Sequence, residues 1–139
     1  MSQATYAPDV NDNDRLIAAL AYFVPVLVPI IILLVESMKV RPYQKYHALQ
    51  SLGLSVAELL YALVICILVV ACSFLVPIAA TFTAGLGAIT GCLVPCIALF
   101  WLLPFIPNIY YTIIAYTSRQ YFEIPVITKF MMQQGWLTR

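Results

Sequence analysis

Charge is what this chain has least of. Of its 139 residues seven are Lys or Arg and six are Asp or Glu, together 9%, too few to coat a water-soluble globule. The formal net charge of +1 supplies no basic surface for a nucleic acid, so no nucleic-acid partner is expected. Histidine occurs once, as His47, and a single imidazole with no second ligand nearby is not a metal site. Also lacking are a Gly-x-Ser-x-Gly elbow, a His-Glu-x-x-His helix, paired intramembrane aspartates, a phosphate loop and a multi-ligand metal cluster. Each of these would bring several reacting groups within mutual reach, and without them the chain is expected not to be an enzyme.

What the chain has in abundance is apolar surface. Hydrophobic residues make up 63%, which points to an integral membrane protein of one domain, with helix packed on helix inside the bilayer. The expected fold class is all-α: a bundle of three transmembrane helices over residues 16–118, with a mobile tail at 1–15 and a cytoplasmic amphipathic tail at 119–139. Leu16 to Val35 has the length of a first span, although Pro25 and Pro29 inside it predict a kink. The acids before it and its length argue against a cleavable signal peptide.

From Tyr46 to Ser118 the only carboxylate is Glu58. Small and polar residues between about Pro77 and Gly87 predict a turn, which leaves a second span at 47–75 and a third at 89–117, the latter interrupted by Pro95, Pro104 and Pro107. The alternative has four helices, with residues 73–90 as a half-span or a surface helix. Basic residues cluster at 36–45 and after Ser118. Two crossings between these stretches put both on the cytoplasmic side, and an initial crossing puts the N-terminus outside.

The polar residues of the second span fall on one face. His47, Ser51, Ser55 and Glu58 step by four, four and three, with Gln50 beside them. Such a stripe is costly against lipid, so it is expected to face inward. Asn108 lies at the depth of Glu58 and is the expected partner, with hydroxyls of Tyr61, Tyr111 or Thr112 as alternatives. Two readings stay open: polar glue between helices, or a carboxylate that handles protons, cations or substrate. His47 itself, beside Tyr43 and Tyr46, reads as an interfacial hydrogen-bonding residue. Cys66, Cys72, Cys92 and Cys96 lie in apolar surroundings and read as small apolar side chains. Arg41, Tyr43, Lys45, Tyr46, Arg119 and Trp136 read as anchors at the membrane surface. Val126, Ile127, Phe130 and Met131 set against Lys129, Gln133 and Gln134 suggest a short amphipathic segment along the surface.

Two stretches carry a family likeness. "RPYQKYHALQSLGL", from Arg41, and "AYTSRQYFEIPVITKFMMQQ", from Ala115, resemble the Tic-twenty-like family, named for a chloroplast inner-envelope import component, and the small bacterial membrane proteins of unknown function grouped with it. The resemblance covers about residues 15–134, and only those two stretches are specific. It implies a polytopic helical protein without a cofactor, in a bacterial cytoplasmic membrane or, alternatively, a plastid envelope. It also implies an accessory or translocon-type subunit whose partners are the lipid bilayer and other membrane proteins or further copies of itself. This chain has Gln120 where relatives tend to have Gly, and room for about three spans where import components have four. The competing expectation is a small channel or carrier built by self-association, with Glu58 in its path.

Overall fold

A computed structural model of the chain describes residues 5–6, 10–82 and 99–137. These residues are mainly helical and include six helices and one short antiparallel pairing of strands. The helices are α1 (Asp12–Phe23), α2 (Leu27–Leu34), α3 (Glu36–Lys39), α4 (Pro42–Phe82), α5 (Phe105–Thr117) and α6 (Ile127–Gln133). Strand β1 (Thr5–Tyr6) pairs with β2 (Gln120–Tyr121), with Thr5 opposite Tyr121 and Tyr6 opposite Gln120. Two compact units divide the chain, one of residues 1–57 and 107–139 and the other of residues 58–106, so α4 contributes to both.

In the first unit, α1 begins where sequence rules favour a helix start. Asp12 and Asp14 occupy its first turn, where carboxylates complement the helix dipole. Ala18, Ala19 and Ala21 on its inner face are buried, and such small side chains let another helix approach closely. The helix stops at Val24 because Pro25 has no N–H to continue the ladder. Val26 then takes φ 80 and ψ −60, a strained backbone for a β-branched residue, and α2 starts in a new direction.

This segment does not form the expected first span. Ile17 and Ala21 of α1 pack in one apolar cluster with Ile32 and Leu33 of α2 and Ala48 of α4. In a continuous helix Ile17 and Leu33 would lie about 24 Å apart. Asp14, before the turn, also reaches Arg41, after α2 and α3, at 2.6 Å. The chain therefore reverses at Val24–Val26 instead of merely kinking, and its 12- and 8-residue helices rise about 18 and 12 Å, each short of a hydrocarbon core of about 30 Å.

Helix α4 carries Pro42 at its first position, where a missing N–H costs nothing. Its part from Pro42 to Leu75 is the one described helix long and apolar enough to cross a membrane. It starts before the expected residue 47 and runs through Pro77 to Phe82, so no turn begins at Pro77. Gly85, Gly87, Cys92, Cys96 and the rest of 83–98 lie outside the described residues. The described part of the expected third span is also broken. Residues 101–104 form turns before α5 starts, and the 13 residues of α5 rise about 20 Å.

Within the first unit α1 and the first turns of α4 run parallel, since Asp14 meets Gln44 and Tyr22 meets Gln50. Helix α5 is antiparallel to both, and its last turn is finished by them. The guanidinium of Arg15 donates to the carbonyls of Tyr116 and Thr117, and the Tyr43 hydroxyl reaches those of Ala115 and Ser118. These are the carbonyls a helix end leaves without intrahelical donors, in the place where the dipole favours a cation.

After β2 the chain turns again at a Pro-Val pair. Val126 has φ 72 and ψ −56, and the Ile127 N–H closes a three-residue turn on the Pro125 carbonyl at 2.9 Å. Helix α6 then packs against α4. A Cβ on Gly53 would lie 2.7 Å from Cγ2 of Ile127 and 3.0 Å from Sδ of Met131, so only glycine permits this approach. The expected surface segment is thus folded into the unit, with Thr128, Met131 and Leu137 buried.

The expected topology needs a further correction. The β1–β2 pairing puts the N-terminal and C-terminal segments at one end of the unit, where the sequence suggested that they lie apart. Asp12 lies 3.7 Å from Arg119, and Asp14 meets Arg41. The N-terminal acids thus pair with one arginine of each basic stretch, Arg41 and Arg119, where the sequence suggested separation from them.

In the second unit, the described helix from Glu58 onward is covered by apolar side chains that stay exposed, among them Leu59, Leu63, Ile67 and Phe74. The Tyr61 hydroxyl donates to the Phe100 carbonyl at 3.0 Å.

Candidate functional site

The predicted polar face of α4 becomes, at its first turns, the centre of a buried network. Gln44, His47, Gln50 and Ser51 are all buried, His47, Gln50 and Ser51 completely. Three other segments supply their partners. Tyr22 comes from α1, the Phe122 carbonyl from the loop after β2, and Thr128 from the first turn of α6.

One backbone carbonyl orients the whole network. The Phe122 carbonyl can only accept, so the amide nitrogen of Gln50 must face it, at 2.9 Å, and the same nitrogen donates to Thr128 Oγ1 at 2.6 Å. Gln50 Oε1 then accepts from the Tyr22 hydroxyl at 3.0 Å. That hydroxyl has one hydrogen, so His47 Nδ1, 3.2 Å from the Tyr22 oxygen, is the donor of the last bond. A neutral imidazole so placed carries its hydrogen on Nδ1 and a lone pair on Nε2. Nε2 is buried and makes no hydrogen bond, although the Gln120 backbone lies near the ring. Thr128 Oγ1 also accepts from the Ile124 N–H at 2.8 Å, and the Tyr46 hydroxyl donates to the Phe122 carbonyl at 3.0 Å.

Aromatic rings close around His47. Tyr43, Phe122, Tyr46 and Tyr22 have ring centroids 4.4, 4.8, 5.4 and 5.9 Å from that of the imidazole. Tyr43 and Tyr46, expected at the headgroup level, are core residues at 2% and 3% exposure. Both donate their hydroxyls to backbone carbonyls, Tyr43 to those of Ala115 and Ser118 and Tyr46 to that of Phe122, which also accepts from Gln50.

A second polar group lies at the start of α1. Asp14 Oδ1 accepts from Arg41 and from Gln44 Nε2, each at 2.6 Å, and Oδ2 accepts the Asn11 N–H at 3.1 Å. Burial pushes the Asp14 carboxyl up, but the hydrogen bonds from Arg41, Asn11 and Gln44 and the Arg41 charge outweigh it and hold the group below the usual aspartate value.

The other expected site residues divide. Ser51 donates to the Ala21 carbonyl at 2.5 Å and ties α4 to α1, whereas Ser55, half-buried, bonds back to the Ser51 carbonyl of its own helix. Glu58 belongs to the second unit and Asn108 to the first. Thr112 donates its hydroxyl to the Asn108 carbonyl at 2.7 Å and Tyr61 its own to the Phe100 carbonyl at 3.0 Å. Tyr111 stacks on Phe122 with 7° between the planes. Of the expected anchors, Arg41 and Arg119 pair with acids of α1, while Lys45 and Trp136 remain exposed. Cys66 and Cys72 are free thiols.

Sequence reasoning missed Asp14, Tyr22, Gln44 and Thr128. Tyr22 carried a signal, as the one hydroxyl inside an otherwise apolar run. Asp14 had the place of a helix N-terminal acid and gave no hint of its second role.

The chemistry open to this arrangement is limited. The hydroxyl hydrogens of Ser51 and Ser55 are committed to carbonyls, and His47 contacts neither serine as a base contacts a nucleophile. Among the described residues no three His, Cys, Asp or Glu side chains converge as a metal site would need. Comparison with known proteins adds no neighbour: no family model, no curated protein and no solved structure matches the chain.

Proposed function

We propose that the chain is a non-enzymatic membrane subunit whose work is to bind and hold other membrane proteins, in a complex that assembles or translocates proteins. One observation carries this reading. The buried hydroxyls of Tyr22, Tyr43, Tyr46 and Ser51 and the Gln50 amide are spent within the first unit, while the most apolar window of α4 is only 6% buried by the chain itself. So large an apolar surface needs lipid or the helices of a partner to cover it. The resemblance to the Tic-twenty-like family in the two stretches that meet in the network, from Arg41 and from Ala115, points the same way.

Residues 16–35 are read here as a re-entrant hairpin that enters and leaves on one side of the membrane. A full crossing follows along α4, and both termini lie in the cytoplasm. The pairing of β1 with β2 and the Asp14–Arg41 bond support this arrangement, as does the positive charge of the 36–45 stretch. Reporters fused before Met1 and after Arg139 should both read cytoplasmic, and a split reading would refute it. A bacterial cytoplasmic membrane fits best.

The test of the function is gentle extraction from the native membrane after cross-linking through residues of the exposed α4 face, such as Leu63 or Ile67. Defined adducts with other membrane proteins are expected. Adducts only with further copies of this chain would favour the second reading, an oligomeric channel or carrier. That reading rests on Glu58, half-buried on a helix whose neighbours Val56, Leu59 and Leu60 are apolar and exposed.

A further inference from the structure

A cleft of about 210 Å³ lies in the first unit where α3 gives way to α4, walled on its other side by the chain after α6. Lys39 and Lys45 line it together with Tyr46, Leu49, Trp136 and Leu137, and among the described residues no carboxylate does. Ion pairs join Arg15, Arg41 and Arg119 to acids of α1, and among the described residues neither lysine has a carboxylate within ion-pair distance. The cleft also borders the N-terminal end of α4, where the dipole favours an anion.

Its walls change character along the helix. The lysines occupy the outer end, and Leu49, one turn beyond Lys45, stands about 6 Å further along. Trp136 is 60% exposed at the same place, with the amphipathic ring that favours the headgroup level. A free phosphate would use the cationic end alone. A phospholipid would use both ends, phosphate on the lysines and the start of its acyl chains along Leu49 and Trp136.

We infer that this cleft binds the phosphate of an anionic phospholipid headgroup and so fixes the cytoplasmic end of α4 to the lipid surface. The inference rests on the reading of α4 as membrane-spanning. Each lysine near an anionic surface contributes about five-fold in affinity, so the two together predict a preference of about 25-fold for an anionic over a zwitterionic lipid.

The experiment places the full chain, with Trp101→Phe so that Trp136 is the sole tryptophan, in lipid nanodiscs. Quenching of Trp136 is then followed with brominated phosphatidylglycerol and with brominated phosphatidylcholine. Preferential quenching by phosphatidylglycerol is expected, lost in Lys39→Gln/Lys45→Gln and kept in Lys129→Gln, whose lysine lies outside the cleft. Equal quenching by both lipids, with the chain inserted, would overturn this site and leave the membrane reading standing. Failure to enter discs of any composition would overturn both. A preference abolished by soluble glycerol phosphate would assign the cleft to free phosphate compounds and overturn the lipid assignment.

Discussion

Replacing Asp14 with Asn preserves the shape of the side chain and removes the charge on which three donors converge. The carboxylate accepts from Arg41, Gln44 and the Asn11 N–H; an amide oxygen can take over part of this, and the new NH2 faces donors. Arg41 is 48% exposed, so its ion pair is screened and contributes no more than about 1 kcal/mol. Gln44 is 2% exposed, and a buried donor left without an acceptor costs about 1–3 kcal/mol. Loss of support at the start of α1 adds up to about 1 kcal/mol. The expected loss is about 2–3 kcal/mol, read as the shift in an unfolding titration in mixed micelles. The pH dependence supplies a second readout. Because the folded carboxyl lies below its unfolded value, its contribution is complete above the usual aspartate range and is lost as pH falls through the folded value. The native protein should therefore lose stability over that acid window, and Asp14→Asn should lose the part of the slope that this group provides. A variant within 0.5 kcal/mol of native stability, by roughly the error of distant surface substitutions, or one with an unchanged acid slope, would refute the reasoning.

Three further substitutions test the packing of the first unit. Thr128→Val keeps the shape but removes the acceptor of the Gln50 amide and the Ile124 N–H; a cost of about 2 kcal/mol and faster amide hydrogen exchange at Ile124 are expected, and unchanged exchange would contradict the network. Gly53→Ala forces its new methyl against Ile127 and Met131, with an expected cost of about 1–3 kcal/mol and easier proteolysis after Lys129. Val126→Gly should do the opposite. Its side chain is 77% exposed, and release of a strain of about 1–3 kcal/mol outweighs the added freedom of the unfolded chain, so a higher unfolding midpoint is expected and a lower one would show that the turn is unstrained.

The polar face of α4 was legible from its spacing, and the inward direction of His47, Gln50 and Ser51 followed from the cost of placing them against lipid. The identity of their partners was not legible. Tyr22 and Thr128 lie 28 and 78 residues from Gln50 in the chain, beyond the range of any local pattern. Tyr43 and Tyr46 were read as anchors because amphipathic rings favour an interface, a rule that does not register the backbone carbonyls of Ala115, Ser118 and Phe122 that accept from them in the folded chain.

By itself the sequence determined the apolar character of the chain, the long helix α4 and the interruption of the first apolar run at Pro25, because composition, helical period and a missing N–H are properties of neighbouring residues. Only the tertiary structure decided that the interruption is a reversal. A proline stops a helix without choosing the new direction, and that direction is set by what the two halves pack against: Ala48 beneath them and the Arg41–Asp14 bond across their open end. The same distinction holds for the acids of α1. Their negative charge was visible at once, but whether it repels the N-terminus from the basic stretches or binds it to them depends on a distance, which only the folded chain supplies.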